Sequence, residues 1–352
     1  MNRMPDLATT APYRPDYAFD EAPAAGSVTA VADGVLWLRM PLPFALDHIN
    51  LWALADGDGW TLVDTGINND ETRGLWRALF AGPLAARPVG RLICTHFHPD
   101  HFGLAGWLCD EAGIGLTMTR GEWAMGTMLR LDAAGDFNRA MADFYRRHGL
   151  DEERAGPLAA RGNTYATRVG RPPGAYTRMV DGQEIEIGGR AWRVIIGTGH
   201  APEHACLYCA ELDVLIAGDQ ILPRITSNVS VWASEPDADP LADFLGSLDR
   251  FRGLPEKTLV LPSHGLPFRG LDGRLDDLAR HHDDRLAEVV TACGDWQSAA
   301  DILPVLFRRK LDSHQIAFAM GESIAHLAYL AARERLIVDC GDDGVVRFRA
   351  AA

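Results

Sequence analysis

The sequence predicts an α/β fold, and three observations predict it. Short apolar runs such as Arg91-Leu-Ile-Cys94, Val194-Ile-Ile196, Val214-Leu-Ile-Ala217 and Leu259-Val-Leu261 read as buried strands, and a His or an Asp follows each within a few residues. From Gly34 to Ile67 apolar and polar residues alternate with Gly and Pro punctuation, the pattern of antiparallel strands. Residues 120–179 and those after Leu271 space their apolar side chains three and four apart, as amphipathic helices do. Strand ends that converge on one rim, with helices inserted and appended, are the expected plan.

In chain order, residues 1–27 are rich in Ala, Pro and acidic groups, lack periodicity, and read as an N-terminal arm that is flexible or lies along the surface. A core domain is expected over 28–270. Within it, Pro41-Leu-Pro-Phe-Ala-Leu-Asp-His48 interrupts the strands as an apolar loop. Phe44 and His48 there are candidate substrate contacts, and a loop packed on its own core explains the same residues equally well.

Residues 95–101 read Thr-His-Phe-His-Pro-Asp-His and follow a strand. They supply three imidazoles and a carboxylate, a ligand set that divalent transition metals prefer. Chance clustering is a weak account, because the chain has 12 histidines in 352 residues and three of them fall within six positions. His96 and His98, two apart, can point the same way, and a turn into a helix after Pro99 sets Asp100 and His101 beside them. Two metals are compatible with that layout. Further along, His200, Asp219 and His264 each end an apolar run and are candidates for the same rim.

Between the metal motif and His200, the 120–179 segment is a helical insertion placed to arch over the site. Trp123, Met128, Phe137, Phe144 and Tyr145 are its candidate lid residues, with Trp123 and Phe144 singled out for substrate contact. A helical pair that only packs on the body is the plainer alternative. After Leu271 a long amphipathic helix, two helices over 296–307 and 313–333, and a hairpin around Gly341-Asp-Asp-Gly344 suggest a small winged-helix-like domain over 271–352. His281 and His282, flanked by Arg and Asp, are expected to be exposed. The last helix, dominated by Ala, Met, Leu and Ile, suits packing or a homodimer contact.

A formal charge of −14, from 34 basic against 48 acidic residues, argues against a sequence-independent grip on nucleic acid. No apolar stretch is long enough to span a bilayer and the first residues lack the apolar core of a signal peptide, so a cytoplasmic protein without membrane partners is expected. The six cysteines show no disulfide-framework spacing, and Cys206-x-x-Cys209 inside a strand-like run reads as packing.

Taken in order, His96-x-His98-x-Asp100-His101, Gly199-His200, Gly218-Asp219 and Ser263-His264, preceded by Leu62-Val-Asp-Thr-Gly66, resemble the metallo-β-lactamase superfamily. The turn before His200 reads Gly-Thr-Gly-His where the commonest family form is Thr-Pro-Gly-His. The resemblance implies a four-layer αββα sandwich carrying the helical insertion and the winged-helix-like domain. It also implies a dinuclear zinc site, with iron or manganese as alternatives: His96, His98 and His200 hold one metal, Asp100, His101 and His264 the other, and Asp219 bridges. Asp64 orients the metal loop without binding metal. His98 stands where the di-iron branch of the family has a Glu, which favours hydrolysis.

The implied mechanism is attack on a carbonyl by a hydroxide shared between the metals, with Asp100 orienting the water and relaying its proton. A small acyl thioester, ester or lactone is the expected substrate. The alternatives are a phosphodiesterase or ribonuclease, β-lactam hydrolysis, and a non-catalytic metal-binding protein.

Overall fold

In the computed structural model, which describes residues 13–44 and 46–351, two seven-stranded sheets face one another. The first twelve residues of the predicted arm and Ala45 of the 41–48 loop lie outside the described residues. The first sheet opens with the antiparallel strands Val28–Ala32, Val35–Pro41, His48–Asp56 and Gly59–Val63, then continues in parallel through Val89–Ile93, Leu116–Met118 and Tyr176–Arg178. In the second sheet Glu184–Ile187, Arg190–Gly197, His204–Cys209 and Val214–Gly218 are antiparallel neighbours, and Leu259–Pro262 joins Val214–Gly218 in parallel.

Alternation in these strands builds the layers. Trp37, Trp52, Leu54, Val63 and Ile93 of the first sheet meet Ile187, Trp192, Val194, Ile216 and Leu261 of the second in one buried cluster between the sheets. The first sheet's other face buries Leu38, Leu51, Leu62 and Leu92 under the helices Asp70–Ala81 and Ala105–Ala112. Ile195, Leu215 and Val260 on the second sheet's outer face join Phe244, Leu275, Leu303 and Leu327 of the helices that cover it. The architecture is therefore helix, sheet, sheet, helix. Cys206 and Cys209, three apart on one strand, point into different clusters, and both are buried free thiols.

Three sequence expectations change. Part of the predicted arm is a strand: Asp16–Tyr17 pairs with Phe268–Arg269 at the edge of the second sheet, too short a segment for periodicity to show. The 120–179 insertion folds as four helices, Arg120–Leu131, Asp136–Arg147, Glu152–Ala160 and Thr164–Arg168, and ends in the strand Tyr176–Arg178. His282 is buried, its ring against Phe244 and 3.4 Å from His326, because its side of the helix Leu271–Ala292 meets other helices.

The remaining elements are the helices Ala299–Leu306 and Ser313–Ala332 and the hairpin Leu336–Cys340 with Val346–Ala350. Ser298 and Asp301 cap the first of these helices reciprocally. No helix among the described residues is long and apolar enough to cross a membrane.

Candidate metal centre

Every predicted ligand sits just past the carboxyl end of a strand, on one rim of the sandwich. His96, His98, Asp100 and His101 follow Val89–Ile93, while His200, Asp219 and His264 follow strands of the second sheet. Their ligating atoms form two groups, His96, His98, His200 and Asp219 in one and Asp100, His101 and His264 in the other, with the atoms of each within 4.8 Å of one another. In the first group His96 Nε2 lies 2.9 Å from His98 Nδ1 and 3.3 Å from His200 Nε2, and Asp219 Oδ2 is 3.5 Å from His200 Nε2. In the second, His264 Nε2 lies 3.4 Å from Asp100 Oδ2 and 3.3 Å from Asp219 Oδ1, which is also 3.5 Å from His101 Nε2. One Asp219 oxygen faces each group.

The donor set fits divalent metal. Tetrahedral zinc with Zn–N near 2.0–2.1 Å spaces its ligand atoms by ~3.3 Å, close to the separations here. Two buried atoms, His101 Nε2 and Asp219 Oδ1, have no hydrogen-bond partner among the described residues, a costly state that a cation between them removes. Charge balance agrees. Burial opposes the cationic form of His264 and of His101, yet neighbouring carboxylates, chiefly Asp219 and Asp64 respectively, push both pKa values up, His264 to about 10. The second group thus attracts positive charge, while burial and neighbouring imidazoles hold His96 and His98 neutral, the form that ligates metal.

Backbone and side-chain partners fix the ring orientations. His200 Nδ1 donates to Asn228 O at 2.8 Å and His264 Nδ1 to His48 O at 2.7 Å, so each ring turns Nε2 to the centre. Asp64 stands in the left-handed region, φ 63°, and accepts from His101 Nδ1 and from Thr95 N, both at 2.8 Å. Gly199 is left-handed as well, φ +89°, and a β-carbon there would meet Pro240 O at 2.4 Å.

Two residues that the sequence reading missed complete this frame. His204, fully buried, accepts from Asp219 N through Nε2 at 3.1 Å and packs its ring against His96. Glu122, fully buried in the first turn of Arg120–Leu131, accepts from Phe97 N at 3.0 Å and from Glu203 N at 2.6 Å. Burial pushes its carboxyl up to about 8 against the pull of those donors. Nothing local marks Glu122, since an acid in a first helical turn usually faces solvent.

A cavity of about 210 Å³ opens from His98 and His200, walled by Phe97, Phe137, Met141, Tyr165, Trp232 and Phe318. Of the predicted lid residues, Phe137 and Tyr145 line it, whereas Trp123, Met128 and Phe144 do not. Trp123 stacks on Tyr176 at 4.7 Å and donates to Pro173 O, Phe144 is buried among helices over the second sheet, and Met128 is exposed. Neither Phe44 nor His48 is in the lining: Arg168 stacks on the Phe44 ring at 4.6 Å, and His48 accepts from Gly265 N behind His264. The apolar spacing marked 120–179 as helical but not how many helices it forms or which side of each faces the cavity.

Comparison with known proteins matches residues 45–264 to the model of the metallo-beta-lactamase superfamily and residues 286–351 to that of a metallo-beta-lactamase-like C-terminal domain. A beta-lactamase domain protein from Burkholderia ambifaria has 47% sequence identity and a TM-score of 0.90, over 96% of this chain and 98% of its own. A metallo-beta-lactamase family protein from Thermus thermophilus has 30% identity and a TM-score of 0.78, over 92% of this chain and 100% of its own. The probable metallo-hydrolase YqjP of Bacillus subtilis is 26% identical over 325 residues, 86% of this chain and 94% of that protein.

Proposed function

The chain belongs to the metallo-beta-lactamase superfamily, a family of metallo-hydrolases, and from that premise we propose that it is a dinuclear zinc hydrolase of an acyl thioester, ester or lactone. The observation that carries this reading is the split of seven candidate ligand residues into two groups, with Asp219 turning one oxygen to each, that open through His98 and His200 onto an apolar cavity.

Two divalent cations in such a site supply a water acidified to a pKa of about 7 and a Lewis acid for the carbonyl. The protein's own groups do the rest. Asp100, itself in the second group with Oδ2 3.4 Å from His264 Nε2, would also orient a water and take its proton. Asp64 and the carbonyls of Asn228 and His48 hold His101, His200 and His264 in their productive tautomers. Tyr165 donates to Phe97 O at 2.5 Å, steadying the backbone between His96 and His98 while its ring forms part of the acyl wall.

The test is metal analysis of the purified chain after zinc saturation, together with initial rates on matched thioesters, esters, lactones, a β-lactam and bis-p-nitrophenyl phosphate. Two metals per chain with rates favouring the acyl substrates are expected. One metal per chain, or a preference for the phosphodiester or the β-lactam, would refute the proposal.

A further inference from the structure

The cavity beside the metal centre has a charge pattern opposite to that of the molecule. In a chain of net charge −14, its lining among the described residues holds two guanidinium groups, Arg161 and Arg168, and no carboxylate. Arg168 lies in the short helix Thr164–Arg168, and Arg161 ends the helix before it, so one stretch of the insertion turns both cations to the same wall. Burial, with Arg161 near it, holds the Arg168 guanidinium below its ordinary pKa against the pull of the Asp100 carboxylate. Arg168 is braced against the Phe44 ring, while Arg161 has no carboxylate in salt-bridge range among the described residues.

Apolar surface continues away from these cations. Phe137, Met141 and Trp232 form the wall beyond His98 and His200, with the Phe137 and Trp232 rings 5.2 Å apart. At about 210 Å³ the space is below the ~300–1,000 Å³ of typical drug-sized sites, which suits a single chain or ring.

Resting on the hydrolase reading above, we infer that the substrate is an amphipathic anion: an acyl or aryl chain seated against Phe137, Met141 and Trp232, with a carboxylate or phosphate group bound by Arg161 and Arg168. Guanidinium forks match both oxyanions bidentately. The anionic group belongs either to the acyl part or to the leaving group.

Two matched pairs separate those sources in the metal-loaded protein. Mono-p-nitrophenyl adipate against p-nitrophenyl hexanoate places the charge on the acyl side, and hexanoyl-coenzyme A against hexanoyl-N-acetylcysteamine places it on the leaving side. Calorimetry with adipate against hexanoate, and with coenzyme A against N-acetylcysteamine, gives a binding readout independent of turnover. The anionic member of one pair is expected to be favoured about tenfold or more, and Arg161→Gln and Arg168→Gln each to cut that preference about tenfold, the scale of a charge-assisted hydrogen bond. Arg161→Lys should retain part of it, and all variants should melt near wild type.

A preference absent from both pairs, or unchanged in both Gln variants, overturns the inference. Hydrolysis of neutral and anionic esters alike removes this inference and leaves the hydrolase reading standing. An arginine-dependent binding preference without any ester turnover does the reverse.

Discussion

Glu122→Ala should loosen both metal-binding loops at once. The carboxylate spans two buried N–H groups, Phe97 N between His96 and His98, and Glu203 N just past His200. Alanine leaves both donors without a partner in a site with no room for bulk water, since Glu122 is fully buried. Each orphaned buried donor costs about 1–3 kcal/mol, so the loss is about 2–6 kcal/mol. Gln keeps one acceptor and turns its NH2 toward the other donor, so Glu122→Gln should lose about half as much. The two loops carry His96, His98 and His200, so zinc affinity should also fall, by the ~10–100-fold typical of losing a group that only orients ligands. Urea unfolding of the zinc-loaded protein and competition with a chromophoric chelator measure the two effects. An Ala variant within about 1 kcal/mol of wild type, with unchanged zinc affinity, would show that the helix Arg120–Leu131 does not hold the loops.

Asp219→Asn, which keeps the shape but loses the charge shared by the two ligand groups, should lower zinc stoichiometry and rate together; unchanged metal content with unchanged turnover excludes the bridging role. Asp64→Ala removes the acceptor of His101 Nδ1 and of Thr95 N and sets alanine at φ 63°, so zinc affinity should fall about 10–100-fold with the fold retained, checked by the same chelator competition. Burial pushes the Glu322 carboxyl from 4.5 to about 7, against the pull of Asn228. The folded state therefore keeps a proton that the unfolded chain releases, and stability should decline as pH rises from about 4.5 to 7. Glu322→Gln should flatten that decline, and a slope that persists in the variant assigns it to other groups.

The candidate ligands could be picked out in the sequence because strands advertise their ends. An apolar run of four or five residues stops where the chain leaves the sheet, and the His or Asp that follows is placed by the sheet itself. Orientation within helices was not legible in the same way. Trp123, Phe137 and Phe144 all fit an apolar stripe, but one packs on Tyr176, one lines the cavity and one is buried over the second sheet. Glu122 and His204 were missed because their importance lies in backbone groups distant in sequence, which no local pattern encodes.

The C-terminal segment is part of this site as well as an appendage to it. Ala317 and Phe318 of the helix Ser313–Ala332 line the cavity, and Tyr145 of the insertion donates to Ala317 O at 2.8 Å. The same helix contacts the loop that orients a candidate metal ligand: Asn228 Nδ2 donates to Glu322 Oε2 at 3.3 Å while Asn228 O receives His200 Nδ1. Approach is close enough that a β-carbon on Gly321 would meet Ser230 Oγ at 2.5 Å. A side chain at 321 would thus push the loop away and take Asn228 with it. The cavity wall and the orientation of His200 are both tied to residues more than fifty positions beyond His264, the last candidate ligand, which gives a physical reason for the two matched domains to occur in one chain.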